Sequence, residues 1–288
     1  MIYLICSILG SVSVGVFFKY IKRFTVNIFE IIILNYVVTS VLSFFIFKVD
    51  FTQISAHMPF GVIAALGILL PAIFVAQFRS IQYAGLIKTD IAQRLSLLIP
   101  ILAAIFIFKE ELNSMRYVAL GLGLLSIYFI LNKGNTVQTD SSAKSSVYLL
   151  STFFGFGIID ICFKQLALYA AIPYTQSLFY VFFTALFLSL IAYTFGSKKN
   201  IFKVSKLNLF SGIFIGGLNF INIIFYMKAH QYFSSNPTIV FAGMNFGVIF
   251  LGTLLGYSLF KEKLSKINII GLLLAGCAIT LLVFSLGR

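Results

Sequence analysis

The sequence contains no tryptophan, only three cysteines and five prolines among 288 residues, and charged residues make up only 10% of it. So little charge excludes an ordinary soluble domain, whose surface needs far more polar side chains to cover an apolar core. The cysteines have no CxxC spacing, so we predict neither a disulfide framework nor a metal site. A P-loop and an HExxH motif are also absent, so we predict neither an ATP-driven pump nor an enzyme, and no cofactor.

Long apolar runs fill most of the chain, which is 60% hydrophobic and has a mean hydropathy of +1.04. Many runs can cross a hydrocarbon layer of ~30 Å at ~1.5 Å per helical residue, and they lack the alternation of barrel strands. We therefore predict an all-α integral membrane protein. Division at the polar breaks gives ten transmembrane helices, near residues 3–18, 27–47, 58–78, 86–108, 114–132, 146–169, 174–195, 207–228, 235–260 and 267–286.

The net charge of +13 comes mainly from Lys and Arg in short connections between these spans. No polar segment is long enough to form a nucleic-acid-binding domain, so we expect no nucleic acid as a partner. We interpret the basic residues as topology signals. Most of them follow the odd-numbered spans, which by the positive-inside rule places that side in the cytoplasm and both termini outside.

Three short blocks recur in the same order in the two halves of the chain. We infer a tandem duplication, with an N-terminal repeat at 1–132, a linker at 133–145 and a C-terminal repeat at 146–288. The matching blocks are Phe18-Lys19 with Phe163-Lys164, then Arg79, Gln82-Tyr83 and Thr89 with Lys228, Gln231-Tyr232 and Thr238, and then Phe108-Lys109-Glu110 with Phe260-Lys261-Glu262.

Each half holds five spans, an odd number, so the second copy must enter the membrane in the opposite orientation to the first. The two five-helix halves are therefore predicted to form an inverted repeat, related by a pseudo-twofold axis in the membrane plane. Such an architecture can open to one side and then to the other at similar free energy. It therefore suits transport by alternating access.

The fourth span of each half ends in a similar motif, FKEELN at 108–113 and FKEKLS at 260–265. A glycine-containing apolar helix follows each motif. Ten spans in two five-span halves with these motifs resemble the EamA-type branch of the drug/metabolite transporter superfamily. The glycines are Gly121 and Gly123 in one half and Gly271 and Gly276 in the other.

The resemblance implies a secondary transporter, which we expect to export a small polar or amphipathic metabolite such as an amino acid from a bacterial inner membrane. Exchange of anionic metabolites, such as sugar phosphates or nucleotide sugars, and export of drugs or quaternary amines are the alternatives. The expected partners are a small-molecule substrate, the lipid bilayer and protons or another coupling ion, in a monomer or homodimer. The resemblance also places both termini inside, against the charge distribution.

Two Asp–base pairs at helical spacing lie within predicted spans: Asp160 with Lys164, and Asp90 with Arg94. Residues four apart share a helix face and can pair. A charge within the bilayer costs at least ~2.5 kcal/mol, so each needs a partner or a function. Both pairs can be simply neutralised, or one acid can exchange its partner for a proton or a cationic substrate. Asp160 is the stronger candidate because it lies deeper.

A stripe of polar residues follows one face of the eighth span and continues into the ninth. Hydrogen bonds between helices would explain it without a substrate, whereas a central cavity for a small polar solute would need such a face. Arg79 and Lys228 end the third and eighth spans, either snorkelling to the interface or forming anion sites. The predicted binding residues, besides the four charged ones, are Gln77, Asn219, Asn222, Tyr226, Asn236 and Asn245.

Overall fold

The computed structural model describes residues 1–21, 24, 26–49, 51, 58–131, 143–196, 205–261 and 264–285. Throughout these ranges the regular structure is helical, with no strand. The helices are α1 (Ile2–Ile21), α2 (Ile28–Phe47), α3 (Phe60–Ala84), α4 (Leu86–Leu95), α5 (Leu98–Phe106), α6 (Ser114–Leu131), α7 (Ala143–Leu168), α8 (Tyr174–Gly196), α9 (Lys206–Tyr232), α10 (Pro237–Phe260) and α11 (Lys266–Phe284).

Within the described ranges, ten helical segments are long and apolar enough to cross a membrane, and α4 and α5 together supply one of them, Lys88–Phe106. The predicted all-α membrane fold with ten spans is confirmed. Two helices continue past their predicted ends, α3 to Ala84 and α9 to Tyr232. Of the predicted linker, 133–142 lies outside the described residues and the remainder starts α7.

The fourth span is not the continuous helix that was predicted over 86–108, because it is interrupted at Ser96 and Leu97. Pro100 explains the position of the break. Proline has no amide N–H to donate to the carbonyl of residue 96, and its ring collides with that carbonyl in a regular helix. At the break the backbone makes a bond that spans three residues where a regular α-helix spans four. The N–H of Leu97 donates to the carbonyl of Arg94 at 3.3 Å. The corresponding span of the second half, α10, has no break.

The lysines of the two FKE motifs share the same sign and size of φ. Lys109 has φ = 55° and Lys261 has φ = 52°, so both lysines lie in the left-handed region. Lys261 directly follows the end of α10, whereas Lys109 lies after the end of α5 at Phe106. In the left-handed conformation the chain leaves the helix sharply. The predicted equivalence of the two turns is thus seen at their lysines, while Glu262 lies outside the described residues.

The two halves of the chain interlace. The first helix of the N-terminal half, α1, packs against α9 and α10, and the first helix of the C-terminal half, α7, packs against α3, α4 and α5. Between them α2 packs against α8 and α9, and α6 forms an extensive pair with α11. The apolar core therefore contains residues of both halves throughout.

Helix α1 runs antiparallel to α9. The ring of Tyr3, in the first turn of α1, lies 6.2 Å from that of Tyr232 in the last turn of α9. At the other end, Phe17 lies 6.4 Å from Phe210 near the start of α9.

Helix α7 runs parallel to α9 where they meet. Tyr226 bonds to Asp160, and further towards the C-terminal end of both helices Gln231 donates to the carbonyl of Ala167 at 3.3 Å. The first helices of the two halves therefore run in opposite directions. An inverted repeat requires that relation, although the inverted repeat as a whole stays a prediction.

The α6–α11 pair is close because glycine lies at its contact. A Cβ atom added to Gly271 would lie 2.9 Å from the backbone nitrogen of Ile130 on α6. Three residues earlier on α11, the Asn268 side chain donates to the carbonyls of Phe129 and Ile130, at 3.0 and 2.9 Å. A larger residue at Gly271 would push against backbone, which cannot rotate away.

We expect Gly271→Ala to destabilise the protein by about 1–3 kcal/mol, the usual cost of overpacking a tight contact. Gly121→Ala is the matched control, because a Cβ added to Gly121 would meet nothing within 4 Å on its exposed helix face. Thermal melting of the purified protein checks both variants. Equal melting temperatures for the two would contradict the close packing of α6 on α11.

Candidate functional site

Asp160 lies in α7 and is partly buried against α9. Its Oδ1 accepts a hydrogen bond of 2.9 Å from the hydroxyl of Tyr226, a predicted site residue on α9. The ring of Tyr226 contacts Phe163 and His230 edge-on, with centroids at 6.1 and 4.5 Å. The structure thus brings Asp160 and Tyr226 together, although they are 66 positions apart in sequence.

The expected pairing of Asp160 with Lys164 is wrong. Lys164 is fully buried, and its ammonium group donates to the backbone carbonyls of His230, Phe233 and Ser234 at 3.3, 3.4 and 2.9 Å. These carbonyls belong to the end of α9 and the turn after it, where helical carbonyls lack helical partners and attract a cation. Asp160 is therefore without an ion-pair partner among the described residues.

The second predicted pair is present. Arg94 Nε lies 3.5 Å from Asp90 Oδ1 within α4, and the arginine side chain is 17% exposed. Gln77 on α3 donates to Gln93 on α4 at 2.7 Å, a partner that the sequence pattern did not identify. The Gln77–Gln93 bond joins α3 to α4, whereas the Asp90–Arg94 pair lies within α4. No hydrogen bond seen in the described residues connects these four side chains to Asp160.

The polar stripe of α9 makes bonds to three different helices. Asn219 donates to Asn35 on α2 at 3.1 Å, and the side-chain oxygen of Asn222 accepts from Ser7 on α1 at 2.8 Å. Tyr226 contributes the third bond, to α7. Hydrogen bonding between helices therefore accounts for these residues, and their contact with a substrate stays a prediction.

Asn236 and Asn245 are not joined to the other predicted residues. Asn236 precedes α10 and its backbone N–H donates to Phe233 O at 3.0 Å, while Asn245 donates to Phe241 O of its own helix at 3.1 Å. Both remain partly exposed. The hydrogen bonds that the structure shows for these two residues are therefore local, one just before α10 and one within it.

A buried cluster around Glu110 was not predicted as part of the site. Glu110 Oε2 accepts from both the backbone N–H and the hydroxyl of Thr238, at 2.8 and 2.6 Å, and thereby caps the start of α10. Its other oxygen accepts from Arg116 at 2.9 Å, and Arg116 also donates to the hydroxyl of Ser285 at 3.3 Å. A residue of the first half thus holds the start of a helix of the second half.

The pKa of the Glu110 carboxyl is raised, because burial outweighs the effect of its partners. Burial raises the pKa of this carboxyl, while hydrogen bonds from Thr238 and the positive charges of Arg116 and Lys164 act in the opposite direction. The signal for this contact was present in the sequence, because Glu110 and Thr238 both belong to the repeated blocks. Helix periodicity alone could not predict that Glu110 contacts Thr238, since the two residues are far apart along the chain.

An open cleft of about 650 Å³ lies between α1, α9 and α10. None of the predicted site residues lines it. Its walls are aromatic and aliphatic, with two hydroxyl groups: Ser13, Val16, Phe17, Tyr20, Phe214, Leu218, Leu255, Leu259 and Phe260.

Comparison with known proteins is consistent with this architecture. Residues 1–132 match the model of the EamA-like transporter family. An uncharacterised protein of Haemophilus influenzae is 39% identical over 290 residues, which cover 96% of this chain and 95% of that protein. A crystal structure of 13% sequence identity superposes with a TM-score of 0.76 over 98% of this chain and 96% of its own, which shows a shared fold.

We expect Glu110→Ala to destabilise the protein by about 3–5 kcal/mol, because it leaves the buried Arg116 without its partner and α10 without its cap. Glu111→Ala is the matched control, since Glu111 is its exposed neighbour. Thermal melting of the two purified variants gives the comparison. A similar loss in both would show that Glu110 has no special role.

Proposed function

Because the chain belongs to the EamA-like transporter family, we propose that it is a secondary transporter that exports a small polar or amphipathic metabolite, such as an amino acid, by alternating access. The observation that carries the proposal is Asp160, an acid within a membrane span that accepts a hydrogen bond from Tyr226 and has no cation beside it in the described part of the chain.

An ionised carboxylate at membrane depth is costly without a counter-charge, and such residues commonly mark ion or substrate pathways. The basic residue nearest to Asp160 in sequence, Lys164, instead donates hydrogen bonds to backbone carbonyls at the end of α9 and in the turn after it. The charge of Asp160 can therefore be balanced by a proton or by a cation from solution. In our proposal one or the other binds in each transport cycle.

The surroundings of Asp160 favour an ammonium group over a metal ion. Tyr226 presents its hydroxyl, and the rings of Phe163 and His230 lie against Tyr226. One carboxylate beside a tyrosine hydroxyl suits an organic ammonium, whereas hard metal ions prefer several oxygen ligands. An amino acid fits this chemistry, and so does a proton that drives the export of another solute.

Ligand-induced stabilisation is the test of this proposal. The melting temperature of the purified protein is measured with amino acids, polyamines, quaternary amines, nucleosides and sugar phosphates. A ligand at ~100 times its Kd should stabilise the native state by ~2.7 kcal/mol. We expect ammonium compounds to stabilise the protein, and Asp160→Asn to remove that stabilisation.

Asp90→Asn is the matched control, because Asp90 already has Arg94 as its partner. That variant should keep the response to ammonium compounds. Stabilisation by anions that disappears in Arg79→Ala or Lys228→Ala would contradict the role of Asp160 and favour anion exchange. Transport by Asp160→Asn at the native rate and with the native pH dependence, in reconstituted vesicles, would exclude Asp160 from coupling.

A further inference from the structure

The polar stripe of α9 has a fourth member that was not among the predicted binding residues, His230. It follows Tyr226 by four residues, as Tyr226 follows Asn222, so the three share one helix face. Asn222 and Tyr226 are hydrogen-bonded to side chains of other helices, Ser7 and Asp160. The His230 side chain is fully buried, and neither of its ring nitrogens has a hydrogen-bond partner among the described residues.

A buried imidazole without a partner is costly. In either neutral form the ring carries one N–H donor and one acceptor nitrogen. Burial removes the water that would satisfy both, and for that reason most buried polar groups in native proteins are paired. The ring of His230 packs against those of Tyr226 and Phe241, with centroids at 4.5 and 4.9 Å, and such packing requires no nitrogen. The two nitrogens therefore indicate a partner from outside the chain.

The imidazole lies close to Asp160, the acid of the proposed transport site. One tyrosine connects them, because the Tyr226 hydroxyl donates to Asp160 and the Tyr226 ring contacts His230 edge-on. Asp160 belongs to α7, while Tyr226 and His230 belong to α9. In the described part of the chain, a carboxylate without a cation and an imidazole without a partner thus lie on two neighbouring helices.

The charge near His230 is opposite to that of Asp160. The ammonium group of Lys164 donates to the backbone carbonyl of His230 at 3.3 Å. Glu110 interacts electrostatically with Lys164, but it is paired with Arg116 at 2.9 Å. These three buried charges therefore leave one net positive charge. The region has a negative end at Asp160 and a positive end near His230, with one tyrosine ring between them.

We propose that His230 is the second binding residue of the Asp160 site. Its imidazole N–H donates to a carboxylate of the same solute whose ammonium group binds Asp160. Opposite charges at the two ends make the site complementary to a zwitterion, so His230 selects amino acids over simple amines. The imidazole is covered in this structure, so the solute reaches it when the end of α9 separates from α7 and α10. This inference rests on the proposed transport function and names the residue that determines its specificity.

A matched set of ligands tests this role of His230. Each amino acid that raises the melting temperature of the purified protein is compared with its decarboxylated amine and with its deaminated acid, and affinities are taken from the concentration dependence of the shift. We expect the native protein to bind the amino acid at least about tenfold more tightly than the amine, because the carboxylate adds a hydrogen bond that involves a charged group.

His230→Phe and His230→Leu remove the ring nitrogens and leave no new buried polar group unpaired. Each variant should bind the amino acid and its amine with similar affinity, whereas Asp160→Asn should bind neither. Phe241→Leu is the matched control, because it changes the packing of the His230 ring without removing a polar group. That variant should keep the preference for the amino acid.

Equal affinity of the native protein for an amino acid and its amine would overturn the role of His230 and leave that of Asp160 intact. A preference that persists in both His230 variants would also overturn it, since the carboxylate would then bind elsewhere. If no ammonium compound stabilises the native protein, or if Asp160→Asn keeps the response, the transport proposal fails and this inference fails with it. The two failures are therefore distinguishable.

Discussion

The turn between α9 and α10 depends on two buried side chains that arrive from elsewhere in the chain. Lipid offers no hydrogen-bond partner to a helix end, so the protein must supply one. Lys164 satisfies the carbonyls that end α9, and Glu110 satisfies an amide that begins α10. With these two charges in place, the third and fourth helices of the second half are held at their shared turn, α9 by Lys164 of α7 and α10 by Glu110 of the first half.

The number, type and approximate limits of the helices could be predicted because a span needs only a long apolar run. The break at Ser96 and Leu97 was missed because the same apolar run continues through it, and only Pro100 marks it. The repeat predicted that the two FKE turns are equivalent, and Lys109 and Lys261 share the left-handed conformation. Sequence patterns thus gave the periodic part of the fold, and local steric conflicts determined the rest.

The contacts of the candidate site were less predictable. Spacing along one helix correctly paired Asp90 with Arg94, since both partners lie on α4. The same rule failed for Asp160 and Lys164, because each bonds instead to a residue of α9 that is more than 60 residues away. Helix spacing says which side chains share a face but not what that face meets. Only the repeated blocks, which include both Glu110 and Thr238, carried information about contact between the halves.

The interlaced packing has a consequence for how the protein is made. Helix α6 packs mainly against α11, and α1 packs against α9 and α10. The helices of the first half therefore depend on helices of the second half for their main packing contacts. During synthesis, the early helices enter the bilayer well before these partners exist. Until the later helices emerge, Ser7, Asn35 and Glu110 lack their native hydrogen-bond partners. Their polar groups must be satisfied by water, lipid headgroups or the insertion machinery during that time. The native structure is therefore a late event of biogenesis, completed only after the final span has left the ribosome.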